Sequence, residues 1–284
     1  LQIGGDVPYL IQAWIKGLSL YSGKEDEMKI KQIIQLTALT FFTSSFFHAQ
    51  AAPTPVAEYR FNNSFASAVL GAPAIVPVDP MGQSNFQTDS VFGRSQPVYS
   101  FNGDANPPAN QAGLYLSTDG LLTTNNVYSV DLILKFNEAE NHWRRIIDVQ
   151  NRQSDTGFYV SPENRLQIYP VSNGSTPFTN NEYHEVLLTN DNGTVRYYLD
   201  GVLQNTSNTP LMDIDSNNRM NFFLDNVAGA AQTEYSDGSV ALIRIYNEAL
   251  TAPPLPIPEP ETYAMMLAGL GLLGFIARRK DSTK

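Results

Sequence analysis

Short alternating runs of β-branched and aromatic residues, each ended by a turn signal, follow one another from residue 56 to residue 247. They read VAEYRF (56–61), VYSFNG (98–103), YSVDLILKF (128–136), WRRIIDV (143–149), TGFYVS (156–161), RLQIYPV (165–171), YHEVLLTN (183–190), TVRYYLDGVLQN (194–205), RMNFFLDN (219–226) and GSVALIRIYN (238–247). Successive side chains of a strand point to opposite faces, so such runs bury one face and wet the other. The run 194–205 holds two strands, because Asp200-Gly201 accepts the left-handed torsions of a tight hairpin turn. No stretch between the runs carries the period of an amphipathic helix. The pattern predicts one all-β domain over residues 52–251, an antiparallel two-sheet sandwich or jelly roll.

The flanks of that domain are built differently. Met28 is the first methionine and opens MKIKQIIQLTALTFFTSSFFHAQAAPTP. Lys29 and Lys31 give a positive n-region, Ile33 to Phe47 an apolar h-region, and Ala49-Gln50-Ala51 an A-x-A cleavage site. Residues 28–51 are therefore expected to be a signal peptide cut by signal peptidase, leaving a mature chain from Ala52. Residues 1–27 are expected to be read-through upstream of a misplaced start. His48 leaves with the leader, so the mature domain keeps His142 and His184.

The other end runs PIPEPETYAMMLAGLGLLGFIARRK (256–280). A proline-rich linker, 252–261, is stiff and extended. An apolar segment and the basic cluster Arg278, Arg279 and Lys280 follow within 262–284. A helix over 263–277 is roughly 22 Å long, short of the ~30 Å bilayer core. Arg and Lys hold their side in the cytoplasm, which places the domain outside. A plain single-span anchor is one reading. Pro258-Glu259-Pro260, a short transmembrane helix and a basic end, in that order, resemble the PEP-CTERM sorting signal. The resemblance implies membrane insertion through the helix, then recognition by an exosortase and removal of the tail near the motif. Such systems belong to Gram-negative bacteria that export extracellular polysaccharide. Gly269, Gly271 and Gly274 spell G-x-G-x-x-G but lie inside the apolar segment, without the strand that a dinucleotide fingerprint needs.

The domain itself resembles laminin-G-like modules of the concanavalin A-like lectin/glucanase superfamily. VAEYRF, VFGRSQPVYSFNGD, YSVDLILKF, NHWRRIIDV and HEVLLTNDNGTVRYYLDGVLQN carry the likeness in order. In the closing segment Gly238, Val240, Ile243, Arg244, Ile245, Tyr246, Asn247, Ala249 and Leu250 fit the final strand of that family. The resemblance implies two curved antiparallel sheets, a concanavalin A-like jelly roll, and leaves the function open among lectins, adhesion modules and glycosidases.

Composition narrows the functions. The chain has 18 Lys+Arg against 28 Asp+Glu and no cysteine. From Ala52 to Pro260, Lys135 is the one lysine. Such a surface repels phosphate backbones, which excludes nucleic acid as a partner. Thiolate and disulfide chemistry are excluded as well. Glycosidases of this fold place paired carboxylates on one strand face. Glu138, Glu140 and His142 in NEAENHW come nearest but lack the E-x-D-x-x-E spacing and read as a solvated loop. His184 beside Glu182 reads as a surface strand edge, and two histidines make neither a triad nor a zinc site. No catalytic residue is assigned.

A rim calcium site is the one cofactor the residues suggest. Asp213, Asp215, Asn217 and Asn218 in MDIDSNN offer hard oxygen ligands. The glycine of a helix–loop–helix calcium site is missing, and Leu224 stands where its glutamate would be. Asp104 is a weaker candidate, and a self-capped polar turn is the alternative for both. Trp143 opens an apolar run and is expected in the core. Three functions stay open: an exported binding module for glycan, exopolysaccharide or another matrix partner; a structural biofilm-matrix block without ligand; and a glycoside hydrolase.

Overall fold

The computed structural model describes residues 53–137, 142–228 and 233–254. The leader with Ala49 and Ala51, the residues Glu138 and Glu140, the motif Pro258-Glu259-Pro260 and the cluster Arg278, Arg279 and Lys280 lie outside them. The described residues form fifteen strands: β1 Ala57–Tyr59, β2 Val76–Val78, β3 Asn85–Val91, β4 Arg94–Phe101, β5 Gly113–Ser117, β6 Val127–Phe136, β7 Arg144–Asp148, β8 Gly157–Val160, β9 Arg165–Tyr169, β10 Ser172–Pro177, β11 His184–Asp191, β12 Thr194–Leu199, β13 Val202–Asn208, β14 Arg219–Phe222 and β15 Gly238–Tyr246. Among the described residues, helix is limited to two 3-10 turns, at Pro108–Asn110 and Pro210–Met212.

The strands form two antiparallel sheets. One runs β13-β12-β11-β6-β15-β4-β3, with β1 also paired to β15; the other runs β10-β9-β8-β7-β14-β5-β2. Period-2 alternation explains how they pack. Val130, Leu132, Leu134 and Phe136 of β6 face inward, as do Ile243 and Ile245 of β15. Leu114, Leu116, Phe158, Leu166, Ile168 and Phe222 meet them from the second sheet, all fully buried. This is the two-sheet jelly-roll sandwich that the alternating runs predict.

The alternate residues show that the first sheet curls. Lys135 on β6 faces outward and its Nζ reaches Asp89 on β3 at 2.6 Å, across β15 and β4. Three strand spacings are about 14 Å in a flat sheet, too far for side chains standing perpendicular to it. Tyr183 also reaches Asp89, at 3.0 Å. The outer side of that sheet is therefore concave here.

Turns and edges follow their own chemistry. Asp200 and Gly201 have φ of 49° and 81°, the two left-handed torsions expected of a tight hairpin. Nothing lies within 4 Å of a Cβ built on Gly201, so the backbone torsion and not space demands glycine. Where the edge strands β10 and β13 meet, Gln204 takes the place of a missing ladder partner. Its Oε1 accepts from the Ser175 and Thr176 amides at 3.0 and 2.7 Å. That covers edge donors that would otherwise invite pairing with another chain.

Two expectations are corrected. His184 is buried, 7% exposed, not a surface strand edge. Its Nδ1 lies 2.7 Å from Asp200 Oδ2 and its Nε2 lies 3.0 Å from the Thr179 carbonyl. The hairpin turn folds back over the imidazole, which the sequence spacing of His184 and Asp200 does not announce. Trp143 is not a core residue. It precedes β7 and lies half-buried on the outer side of the second sheet, because inward register at this strand start belongs to Arg144, whose guanidinium lies over the Phe136 ring.

Candidate functional site

The outer side of the second sheet carries the residues that the core does not use. Strand alternation puts Arg145 and Asp148 of β7, Tyr159 of β8, Tyr169 of β9 and Asn221 of β14 there. Trp143 packs nearly perpendicular to Tyr159 and Tyr169, with ring centroids 5.5 and 5.1 Å away and planes tilted by 76° and 73°. Tyr159 and Tyr169 meet at 6.4 Å and 78°. Edge-to-face packing of this kind fixes ring orientation. Gly157 makes room for it: a Cβ there would stand 3.3 Å from the Tyr159 ring and 3.5 Å from the Arg145 guanidinium carbon.

Beside the aromatic trio lies a charged cluster. Arg145 Nη1 donates to Asp148 Oδ1 at 3.0 Å, its Nε faces Asp225 Oδ1 at 3.4 Å, and its Nη2 donates to the Tyr159 hydroxyl. Its guanidinium carbon also stands 4.6 Å from the Tyr159 ring centroid. Asn221 Nδ2 donates to Asp148 Oδ2 at 2.9 Å. Two loops are tied down onto this floor. The Arg152 amide donates to Asp148 Oδ2 at 2.8 Å, and the Glu234 amide donates to Asp225 Oδ2 at 3.0 Å. Arg145, Asp148 and Asp225 side chains are 0% exposed. Removing Arg145 would take from two buried carboxylates the cation they share. The floor is thus a structural ion network, and the accessible groups are at its rim.

The rim consists of Trp143, Tyr169, Asp155 and Glu234, each half-buried. The Arg145 amide donates to the Glu234 carbonyl at 3.1 Å, which runs residue 234 alongside the start of β7, two positions from Trp143. Tyr159 Oη lies 2.8 Å from the Asp155 carbonyl and 3.2 Å from Glu234 Oε2. Burial, with the charges of Asp225 and Asp155, pushes the Glu234 carboxyl up to about 9. Asn226 Nδ2 donates to Asp155 Oδ1 at 3.2 Å, while Asn226 Oδ1 is buried and has no hydrogen-bond partner.

The first sheet carries a second polar cluster on its concave side. Arg244 Nε reaches Glu58 Oε2 at 3.1 Å and its Nη1 reaches Asp131 Oδ2 at 3.4 Å. Burial and the nearby Glu185 push the Asp131 carboxyl up to about 7, against the pull of Arg244. The aromatic residues around this side, Tyr183, Tyr198 and Tyr246, are buried and offer no open ring face.

Of the residues singled out in the sequence, Asp213 and Asp215 take different partners. Asp213 Oδ1 accepts from Asn190 Nδ2 at 2.8 Å. Asp215 accepts from the Asn217 amide at 2.9 Å and from Asn217 Nδ2 at 2.8 Å, closing its own turn. The imidazole of His142 faces the Tyr235 carbonyl at 3.3 Å. Among the described residues no group of three or more His, Cys, Asp or Glu is placed to hold a metal ion. The cluster at Arg145, Asp155, Asp225 and Glu234 has no sequence signature, since four separate segments supply it.

Comparison with known proteins agrees with this architecture. No curated protein matches the chain. Domain 4 of AbnA, an extracellular GH43 arabinanase from Geobacillus stearothermophilus solved in complex with arabinotriose, superposes with a TM-score of 0.52 at 20% identity, over 70% of this chain and 95% of that one. The structure titled for cell entry of botulinum neurotoxin type C through two ganglioside molecules follows at 0.49 and 14%, over 70% of this chain and 48% of that one. Residues 256–280 match the PEP-CTERM protein-sorting motif, which marks the protein for export and exosortase processing to the cell surface or extracellular matrix. Residues 108–254 match the Laminin_G_3 family model, and the chain belongs to the concanavalin A-like lectin/glucanases superfamily.

Proposed function

We propose that the protein is an exported, exosortase-processed binding protein that holds a glycan of the cell surface or matrix without cleaving it. The observation that carries this reading is Trp143. It is half-buried, and near-perpendicular packing against Tyr159 and Tyr169 fixes its ring orientation beside hydrogen-bonding rim groups. Sugar rings have one apolar face that stacks on such a platform, while hydroxyls take the polar rim. That a domain of the same fold was solved with arabinotriose makes carbohydrate the first ligand class to test.

The hydrolytic alternative would use Glu234, whose carboxyl keeps its proton, as general acid. It needs a second carboxylate free to act as base or nucleophile. Asp225 is not free, being held by Arg145 and by the Asn226 and Glu234 amides. The structural-block alternative needs no ligand. Retention on immobilised polysaccharides tests the proposal. The protein is expected to be retained, and Trp143→Ala and Tyr169→Ala to be released early while still melting in one cooperative transition. Retention unaffected by both substitutions refutes the platform, and reducing ends released from a soluble glucan refute the non-catalytic reading. The same experiment with a chelator tests calcium at Asp213, Asp215 and Asn217, a proposal on which the platform does not depend.

A further inference from the structure

Four strands end the two sheets: β13 and β3 in the first, β10 and β2 in the second. Three of the four are blunted. β2 has three residues with Pro77 at its centre. The registers of β10 and β13 each slip once, and Gln204 fills the gap where those two strands meet. β3 is different. Its seven residues, NFQTDSV, pair with β4 without a break from Asn85↔Ser100 to Val91↔Arg94. It holds no lysine and no proline, residues that guard the edges of sheets. Among the described residues no strand lies beyond it. Asn85, Gln87, Thr88 and Ser90 are exposed. The Phe86 ring, packed on Phe65 and Tyr99 at 4.7 and 5.5 Å, anchors the strand from inside.

The pairing fixes which backbone groups face out. Thr88 stands opposite Pro97, which has no N–H. That pair is therefore not hydrogen-bonded, and the Thr88 amide and carbonyl point away from β4. The two-residue turn at Phe92-Gly93 sets the same phase, and alternation adds Phe86 and Ser90. Both ends of this outward row are capped within the chain. The Ser90 amide donates to Asp89 Oδ1 at 2.7 Å. The amide of Ser84, just before the strand, donates to Asp79 Oδ2 at 3.1 Å. Phe86 and Thr88 remain, two positions apart.

We infer that β3 pairs antiparallel with β3 of a second copy, about a two-fold axis through Gln87. The outward groups complement themselves in that register. Phe86 of one copy and Thr88 of the other exchange both their hydrogen bonds, and the symmetric pair does the same. Gln87 meets its own counterpart, and its amide carries both a donor and an acceptor. Charge allows the contact as well. Asp89 is the one charged residue of β3, and it is paired at 2.6 Å with Lys135, the one lysine between Ala52 and Pro260. Copies of an acidic chain repel each other, but this edge is locally neutral. The hairpin tip adds an apolar contact. Phe92 has φ of 49°, a left-handed torsion that bulky residues rarely take, and it is 57% exposed. The same register runs Phe92 of one copy toward Met81 and Gly82 of the other. No residue of the Trp143 platform takes part, so the two readings stand or fall separately.

Sedimentation of the full-length chain in detergent tests this. A concentration-dependent dimer is expected. Thr88→Pro removes an outward amide without touching a bond to β4, and Gln87→Glu sets two carboxylates face to face. Each should raise the dimer dissociation constant at least ~10-fold, and added salt should restore the Glu variant alone. Should Thr88→Pro fail to fold, Gln87→Glu, an exposed change, carries the test. The chain has no cysteine, so single cysteines give a second reading. In this register two copies of Gln87→Cys bring their Cα atoms to about 4.5 Å, within disulfide reach. Asn85→Cys lies on the same strand face but stands opposite Asp89, too far from its own counterpart. Mild oxidation should link the first variant and not the second. A chain that stays monomeric up to about 1 mM, a dimer that Gln87→Glu leaves unmoved, or cysteine variants that link equally overturns the inference.

Discussion

Asp131 sits in the middle of β6 with its side chain out of solvent, and Arg244 answers one carboxylate oxygen while the other has no partner. Its carboxyl is pushed from 3.8 up to about 7, by burial first and then by Glu185. An acid with a raised folded value binds its proton more tightly when folded, so its contribution to stability is lost as pH rises from about 4 to about 7. Glu185 and Glu234 are raised too and act in the same sense. Burial pulls the His184 imidazole down, but its hydrogen bond to Asp200 and the charge there outweigh this and hold it above 6.5. A raised histidine contributes fully below its unfolded value and loses that contribution as pH rises through the folded one, again the same direction. Asp89 opposes them, its carboxyl lowered by Lys135, Ser90 and Tyr183 against a burial penalty. The melting midpoint should therefore be higher at pH 5 than at pH 7.5, and Asp131→Asn should flatten part of that slope. An unchanged slope in the variant would remove Asp131 from the account. None of these values is visible in the sequence. Asp131 falls at an outward position of YSVDLILKF, and alternation alone marks it as solvated. Only the curl of the sheet and the Arg244 guanidinium show why it is not.

At the scale of strands and turns, the hairpin at Asp200-Gly201 does more than reverse the chain. Asp200 Oδ1 accepts from the Glu185 amide at 2.9 Å and Oδ2 holds His184, so the turn fastens β11 to the β12–β13 hairpin. Replacing Gly201 by Val forces a β-branched residue to φ of 81° and should cost about 1–2 kcal/mol, read as a drop in the melting midpoint. A midpoint that does not move would argue against the left-handed torsion. The turn was legible because Asp-Gly announces it, and most inner strands were legible because burial of one face imposes alternation. The strands missing from the sequence reading are β2, β3, β5 and β10. Three of them, β2, β3 and β10, close the ends of sheets, where VPV, NFQTDSV and SNGSTP escape the pattern because an edge tolerates Pro, Gly and polar residues. β5, GLYLS, opens on glycine and carries no β-branched residue. The candidate site was least legible for the same reason: Trp143 stands at a strand start, and its partners come from β8, β9 and the separate residues Asp155, Asp225 and Glu234.

For the whole molecule, a concanavalin A-like sandwich carries a sorting tail that marks it for export, and each part makes a separate demand. We expect the tail to be cut at its Pro-Glu-Pro handle, since proline fixes its own φ and restricts the residue before it. Replacing Pro258, Glu259 and Pro260 by alanine should leave a membrane-inserted protein with its C-terminal peptide through Lys284, seen by mass. Loss of that peptide from the alanine variant would show that the handle is not read. The central claim is that the sandwich offers Trp143 to a sugar, and tryptophan emission tests it most directly. The sequence holds two tryptophans, and Trp143→Phe removes the one on the platform, so the difference between the two proteins isolates its signal. Titration with a retained glycan should shift that difference emission along a saturable curve whose midpoint matches the binding midpoint. A glycan that binds with the same affinity to the Phe variant, and leaves the Trp143 emission unmoved, would place binding elsewhere on the molecule and contradict the account.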